Sequence, residues 1–181
     1  MDDGSSSKGI RRRLASLIRE VPDFPKPGIV FKDITPLLAD PEGLRTAVDL
    51  LVEPYRAAGV THVVAVESRG FIFGAAAAQA LGAGFVPVRK KGKLPWRTDE
   101  VTYALEYGTD TLQMHQDAFA HGGRVLIVDD VIATGGTLVA TADLVRRQGA
   151  QILGAAVVIE LGFLRGREKI APLAMTSVLV Y

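Results

Sequence analysis

Two patterns of apolar positions alternate along the chain. Short runs at 61–66, 85–88, 125–128 and 151–160 are apolar at nearly every residue, as in strands buried on both faces. Between them lie stretches with an apolar residue every third or fourth position, the spacing of a helix with one buried side. Ile10, Leu14, Leu17, Ile18 and Val21 form one such stripe, closed by Pro22, Pro25 and Pro27. Leu44, Val48, Leu51 and Tyr55 form a second, ending at Gly59. Asp40, Pro41 and Glu42 open that second helix as cap, rigid first residue and first-turn acid. An alanine-rich helix is predicted at 71–81, and another carries Leu138, Ala142 and Val145. A short helix or turn at 165–170 and a strand at 175–180 close the chain. Alternating strands and helices predict an α/β fold, a mostly parallel twisted sheet with helices on both faces.

Three segments fall outside that alternation. Residues 1–8 are small and polar and read as a flexible tail. Residues 28–34 are apolar but short and flanked by proline, which disfavours a central strand. They leave two readings: a loop pinning Ile29 and Phe31 into the core, or part of a small N-terminal hood spanning 22–38. As a hood, Phe31 would offer a flat face to a heterocyclic base, with the backbone of Val30 and Lys32 at its edge. From about 94 to 115, alternation at Val101, Tyr103, Leu105 and Tyr107 and a turn at 107–110 predict a two-stranded ribbon. Standing away from the main sheet, such a ribbon would serve as a lid that keeps water from a reacting sugar.

Composition narrows the class. The 181 residues suit one domain, placed at 9–181, and a hydrophobic content of 48% argues for a folded core. A formal net charge of +1 gives no basic field for nucleic acid. Cysteine is absent, which excludes disulfides and thiolate metal sites and fits a reducing compartment. The three histidines are scattered without metal-ligand spacing, and His115 and His121 are expected at the surface. The apolar runs are too short to span a membrane and no signal-peptide core is visible. The expectation is a cytoplasmic protein with neither a membrane nor a nucleic acid as partner.

The chemistry concentrates at 123–138. An apolar run ends in Asp129 and Asp130, followed by Ala133, Thr134, Gly135, Gly136 and Thr137 and then the start of a helix. Glycines let backbone N–H groups converge, and a helix N-terminus adds partial positive charge, so this loop suits a phosphate. Carboxylates only accept hydrogen bonds, which suits sugar hydroxyls and not phosphate. Because neighbouring side chains alternate in a strand, at least one of the two acids is expected beyond the strand, in the loop. The loop lacks the Gly-Lys-Ser/Thr of a Walker A motif and the glycine spacing of a dinucleotide fold. A phosphate-accepting receiver domain would need a later strand-end Asp, and Asp143 lies in a helical stretch. Two more strand ends carry candidates: Glu67, Ser68, Arg69 and Gly70 after one, and the basic run 89–93, with Lys90 and Lys93, after another. In a parallel sheet all three loops share the edge where ligands bind.

The run 125–137 resembles the phosphoribosyl-diphosphate motif of the type I phosphoribosyltransferases: apolar strand, two acids, then Thr134-Gly135-Gly136-Thr137. Residues 22–181 resemble the adenine-specific branch of that family, through 24–34, 67–71, 89–95 and 105–108. The resemblance implies the type I fold and transfer of a phosphoribosyl group from phosphoribosyl diphosphate to adenine, giving AMP and diphosphate. It implies Phe31 and Leu161 around the adenine ring, with the backbone of Val30 and Lys32 at its edge. It implies Ser68, Arg69, Lys90 and Lys93 on the diphosphate, and Asp129, Asp130 and 133–137 on the ribose phosphate. Glu106 and Tyr107 fall in the family's mobile catalytic loop, with Arg69 also catalytic. Mg²⁺ would arrive with the substrate, with no direct protein ligand, and the chain would be a homodimer, with Arg89 a candidate to reach across it. Many relatives carry Arg where Lys32 stands, a silent change if the contact is through backbone. Another base such as hypoxanthine or guanine, or a non-catalytic nucleotide sensor on the same fold, stays open.

Overall fold

The apolar runs become strands, and their pairing decides where the loops between them emerge. In the computed structural model, residues 3–104, 108–119 and 122–181 are described, with side chains from residue 8 onward. The chain separates into two compact units, Met1–Asp49 and Leu50–Tyr181.

In the first unit, α1 (Asp3–Ser16) begins inside the stretch that reads as a tail. It stops well before the prolines. The Ser16 hydroxyl turns back to the Arg13 carbonyl at 2.7 Å, and Leu17 and Ile18 make tighter three-residue turns. Leu14 and Ile18 are buried as the stripe predicts, but Val21 joins a strand, β1 (Arg19–Pro22). That strand pairs antiparallel with β2 (Val30–Asp33), Val21 opposite Phe31. Residues 28–34 are therefore neither a core-pinning loop nor a central strand. Ile29 and Val30 are exposed, and Phe31 meets Phe24 edge-on with ring centres 5.2 Å apart. Asp33 accepts the Thr35 N–H and hydroxyl at 2.9 and 2.7 Å, which starts α2 (Thr35–Ala39). The Asp40 carboxylate accepts the Gly43 N–H at 2.6 Å, capping as expected α3 (Pro41–Val52), whose last three residues belong to the second unit.

In the second unit, β3 (His62–Val66), β4 (Gly84–Lys90), β5 (Thr98–Ala104), β6 (Thr109–His115), β7 (Arg124–Ile132), β8 (Gln151–Glu160) and β9 (Met175–Val180) form one sheet. The order across it is β5-β6-β4-β3-β7-β8-β9. From β4 to β9 neighbours run parallel. Val64, Val66, Ile127, Ala155 and Val157 pack with Leu138, Leu144 and Val145 of α5 (Gly136–Arg147). Their alternates Val63, Ala65, Leu126, Val128 and Ala156 are also fully buried. That is why these strands are apolar throughout. Gly74 of α4 (Gly70–Leu81) leaves no room for a methyl against Ala65, so this helix lies close on the sheet.

The ribbon differs from its expectation. β5 and β6 pair as predicted, but β6 also pairs with β4, placing Lys90 opposite Leu112, so the ribbon extends the main sheet. Arg89 and Lys90 thereby belong to a strand and not to a basic loop. His115 is half-buried against Trp96, and His121 lies outside the described residues.

Candidate active site

Chain direction across the sheet places the site. From β3 the chain moves through α4 to β4 on one side, and from β7 through α5 to β8 on the other. The adjacent pair β3 and β7 is therefore the point where the strand order reverses, and the loops leaving their C-terminal ends diverge around a crevice. A cavity of about 420 Å³ opens there, lined by 66–69 and 129–138. Ser68, Arg69, Asp129, Asp130, Ala133, Thr134, Gly135, Gly136 and Thr137 all line it.

Both acids lie within β7, which runs on to Ile132 in register with β8. The expectation that one would sit in the loop is corrected: the carboxylates end the apolar run but not the ladder. Their environments differ. Asp130 is buried and its Oδ2 accepts Arg69 Nε at 2.7 Å. Asp129 lies beneath α4, its Oδ1 only 2.6 Å from where a Cβ on Gly70 would stand, and accepts the Asp130 N–H at 2.9 Å. Burial, and then the charge of Asp130, push the Asp129 carboxyl well above the ordinary value of 3.8.

The loop after β7 is shaped by glycine. Gly135 has φ +83, and a Cβ there would stand 2.6 Å from the Gly166 carbonyl oxygen. The Val139 N–H returns to the Gly135 carbonyl at 3.0 Å as α5 begins, leaving the first helical N–H groups without partners inside the helix. Thr137 Oγ1 lies 3.3 Å from the Tyr103 hydroxyl, which brings β5 to the loop.

The basic strand end does not line this cavity, but it is fastened to the loop that does. Glu67 accepts Arg89 Nε and Nη2 at 3.2 and 2.9 Å and the Lys90 N–H at 2.7 Å. Burial works against the Glu67 charge, yet the Lys90 N–H and the Arg89 guanidinium hold its carboxyl below the usual range. Lys90 Nζ meets Asp110 of β6 at 3.0 Å, a bond that raises the lysine pKa. Lys93 is exposed, and its carbonyl accepts Arg89 Nη1 at 2.9 Å. Glu67 and Asp110 were not assigned roles from sequence. For Glu67 the signal was its strand-end position beside Arg69, whereas Asp110 depends on the β4–β6 pairing. Of the base candidates, Val30, Phe31 and Lys32 lie in the first unit, where Lys32 Nζ bonds Glu20, and Leu161 lies in the second. Glu106 and Tyr107 lie outside the described residues.

Known proteins resolve which sugar phosphate chemistry this is. A profile of the phosphoribosyl transferase domain matches residues 34–177. An adenine phosphoribosyltransferase of Solidesulfovibrio magneticus is 57% identical over 92% of this chain and 97% of its own. The crystal structure of the Rhodothermus marinus adenine phosphoribosyltransferase superposes with a TM-score of 0.92, at 54% identity, covering 96% of this chain and 99% of that one. The Saccharomyces cerevisiae enzyme, complexed with an imino-altritol bisphosphate and adenine, gives 0.89 at 39% identity over 95% and 99%. The chain belongs to the adenine phosphoribosyltransferase family. Its sheet is the type I phosphoribosyltransferase fold, and the two loops that line the crevice are among the segments that carry the family resemblance.

Proposed function

We propose that the chain transfers the 5-phosphoribosyl group of phosphoribosyl diphosphate to adenine, forming AMP and diphosphate in purine salvage. One observation carries this reading. In a single cavity, the Gly135–Gly136 loop, which holds no cation, faces the arginine-bearing loop after β3 across the point where the strand order reverses. Such a site separates a spectator phosphate from a leaving one. The adenine held by the yeast relative supports the choice of base.

Adenine N9 attacks C1′ as the bond from C1′ to the diphosphate oxygen breaks, and the electron pair leaves with diphosphate. Positive charge grows on the ribose and negative charge on the leaving group. The 133–137 backbone and the Thr134 and Thr137 hydroxyls hold the 5′-phosphate, which takes no part in bond breaking. Asp130 accepts from the ribose hydroxyls while keeping Arg69 beside the site. Burial pushes the Asp129 carboxyl toward its neutral form, whereas the Asp130 carboxylate is paired with the Arg69 guanidinium at 2.7 Å. Ser68, Arg69, Lys90 and Lys93 take the diphosphate, each charged hydrogen bond contributing about 1.5–3 kcal/mol. Val30, Phe31, Lys32 and Leu161 hold the base, and Glu106, with Tyr107 beside it, receives the N9 proton.

Among the described residues no three histidine, aspartate or glutamate side chains gather to hold a metal ion. On the family reading Mg²⁺ would arrive with the substrate and spread the charge of the diphosphate, with no direct protein ligand. No described helix is long and apolar enough to cross a membrane. Cytoplasmic location and a homodimer follow from the family reading, and the mass in solution tests the dimer.

The deciding assay supplies phosphoribosyl diphosphate, Mg²⁺ and adenine, hypoxanthine or guanine in turn and follows diphosphate release. Turnover is expected with adenine alone. Absence of turnover with adenine would overturn the reading, and unchanged turnover in Glu106→Gln would remove the proton-transfer role.

A further inference from the structure

Beside the phosphate loop lies an ion pair between a buried carboxylate and a half-exposed guanidinium that the reaction above does not use. Glu160, the last residue of β8, is buried, and its carboxylate accepts three bonds. Arg167 donates Nε at 3.0 Å and Nη2 at 2.5 Å, and the Ser177 hydroxyl donates at 2.6 Å. Arg167 also reaches the Met175 carbonyl at 2.8 Å and Ser177 Oγ at 3.0 Å. One guanidinium therefore fastens α6 (Gly166–Ile170) to the C-terminal end of β8 and the first half of β9. A two-pronged pair of planar groups fixes orientation as well as distance. With Arg167 half exposed and the Glu160 carboxylate desolvated, its net contribution to stability is modest.

What the pair orients is the residue before Arg167. Gly166 packs its backbone on the phosphate loop with no space for a side chain. A Cβ there would run into the Ala133 carbonyl and stand 2.9 Å from the Gly135 nitrogen. From the other side, a Cβ on Gly135 would strike the Gly166 carbonyl. The residue after Glu160 is Leu161, whose N–H is held by the Ile132 carbonyl at 2.9 Å, at the end of the strand that carries the acids. Both members of the pair are thus next in sequence to a residue that touches the lining of the cavity.

We propose that Glu160 and Arg167 are positioning residues for the 5′-phosphate: by locking α6 they press Gly166 against Ala133 and Gly135 and fix the spacing of the loop amides. This rests on the assignment of 133–137 to the 5′-phosphate. Convergent amides bind a phosphate only if their spacing is held closely, and small displacements are costly in such sites. A pair serving stability alone would have no reason to discriminate between ligands with and without that phosphate.

That difference supplies the test. Dissociation constants for AMP and adenosine are measured by calorimetry, well below the melting temperature, on the whole chain and on Arg167→Met, Arg167→Lys and Glu160→Gln. The expected result for Arg167→Met is AMP binding weakened at least tenfold and adenosine binding changed less than twofold. The Michaelis constant for phosphoribosyl diphosphate should rise with it, while turnover at saturation stays within a few-fold. Arg167→Lys should fall between, since an ammonium cannot make the two-pronged bond. If Arg167→Met does not fold, Glu160→Gln, nearly the same shape, carries the same comparison. An AMP-to-adenosine ratio that moves less than threefold overturns the proposal, whatever happens to the melting temperature. If the unaltered chain itself binds AMP no better than adenosine, the phosphate assignment fails instead, and the two failures are distinguishable.

Discussion

At the scale of single residues, Asp129 and Asp130 show how one motif divides into two jobs. Both are buried at the end of β7, but only Asp130 has a cation against it, Arg69 at 2.7 Å. The raised pKa of Asp129 means that the native chain binds its proton where the unfolded chain, near 3.8, has released it. Ionising it costs stability, so that cost is absent at low pH and is felt fully once pH exceeds the folded value. Asp129→Asn keeps an oxygen for the Asp130 N–H and removes the cost. Its melting temperature should match that of the unaltered chain below pH 3.8, exceed it increasingly as pH rises toward the folded value and hold that advantage above it, followed by thermal denaturation between pH 3 and pH 9. A melting advantage that shrinks with rising pH would show that Asp129 is stabilised as the anion. For activity the order reverses. Asp130→Asn should lower kcat/KM by roughly 10- to 150-fold, the value of one charged hydrogen bond, and Asp129→Asn by less. The residue types were legible before the fold, because an acidic pair and a glycine-threonine loop have few other uses together. Their unequal burial was not, since it depends on Gly70 arriving from another element.

Elements show the same limit one level up. Residues 151–160 are apolar enough to mark β8 to the residue, whereas β7 outlasts its apolar run because the β8 ladder continues past the two acids. Local pattern also found the β5–β6 ribbon, but its attachment to β4 is a pairing between distant segments and leaves no periodicity to read. That attachment has a chemical consequence. It sets Asp110 against Lys90, so a lysine assigned to the diphosphate is held by an internal carboxylate at 3.0 Å. Lys90 is largely exposed, and such a pair is worth about 0.2–1 kcal/mol. Diphosphate must compete with it. Asp110→Asn should therefore lower the Michaelis constant for phosphoribosyl diphosphate by about 1.4- to fivefold at low salt and strengthen product inhibition by diphosphate to match. Both effects should fade at high ionic strength as the exposed charges are screened. Steady-state kinetics at two salt concentrations measure this, and a Michaelis constant unmoved at low salt would mean that Lys90 does not meet the diphosphate.

For the whole molecule, the division into two compact units sorts the proposed ligand contacts. The residues assigned to phosphate, ribose and diphosphate all belong to Leu50–Tyr181, whereas Val30, Phe31 and Lys32 belong to Met1–Asp49. The proposed purine and sugar-phosphate contacts then fall largely in different compact units, each with its own internal bonding. In the first, Phe31 is set by its place opposite Val21 and its edge-on contact with Phe24. In the second, Thr137 is set by the start of α5, where Thr141 donates to its carbonyl at 2.8 Å. Substitutions in the two units should act on separate substrates. Phe31→Ala removes a face on which a base can stack, worth about 1–3 kcal/mol, and should raise the Michaelis constant for adenine by roughly 5- to 150-fold. It should leave that for phosphoribosyl diphosphate within twofold. Thr137→Val, nearly the same shape without the hydroxyl, should do the converse. Independent effects add as free energies to within about 0.5 kcal/mol, so the double variant should show the product of the two changes within about twofold. A double variant tenfold away from that product would mean that the two units do not recognise their substrates separately, and the assignment of Phe31 to the base alone would fall with it.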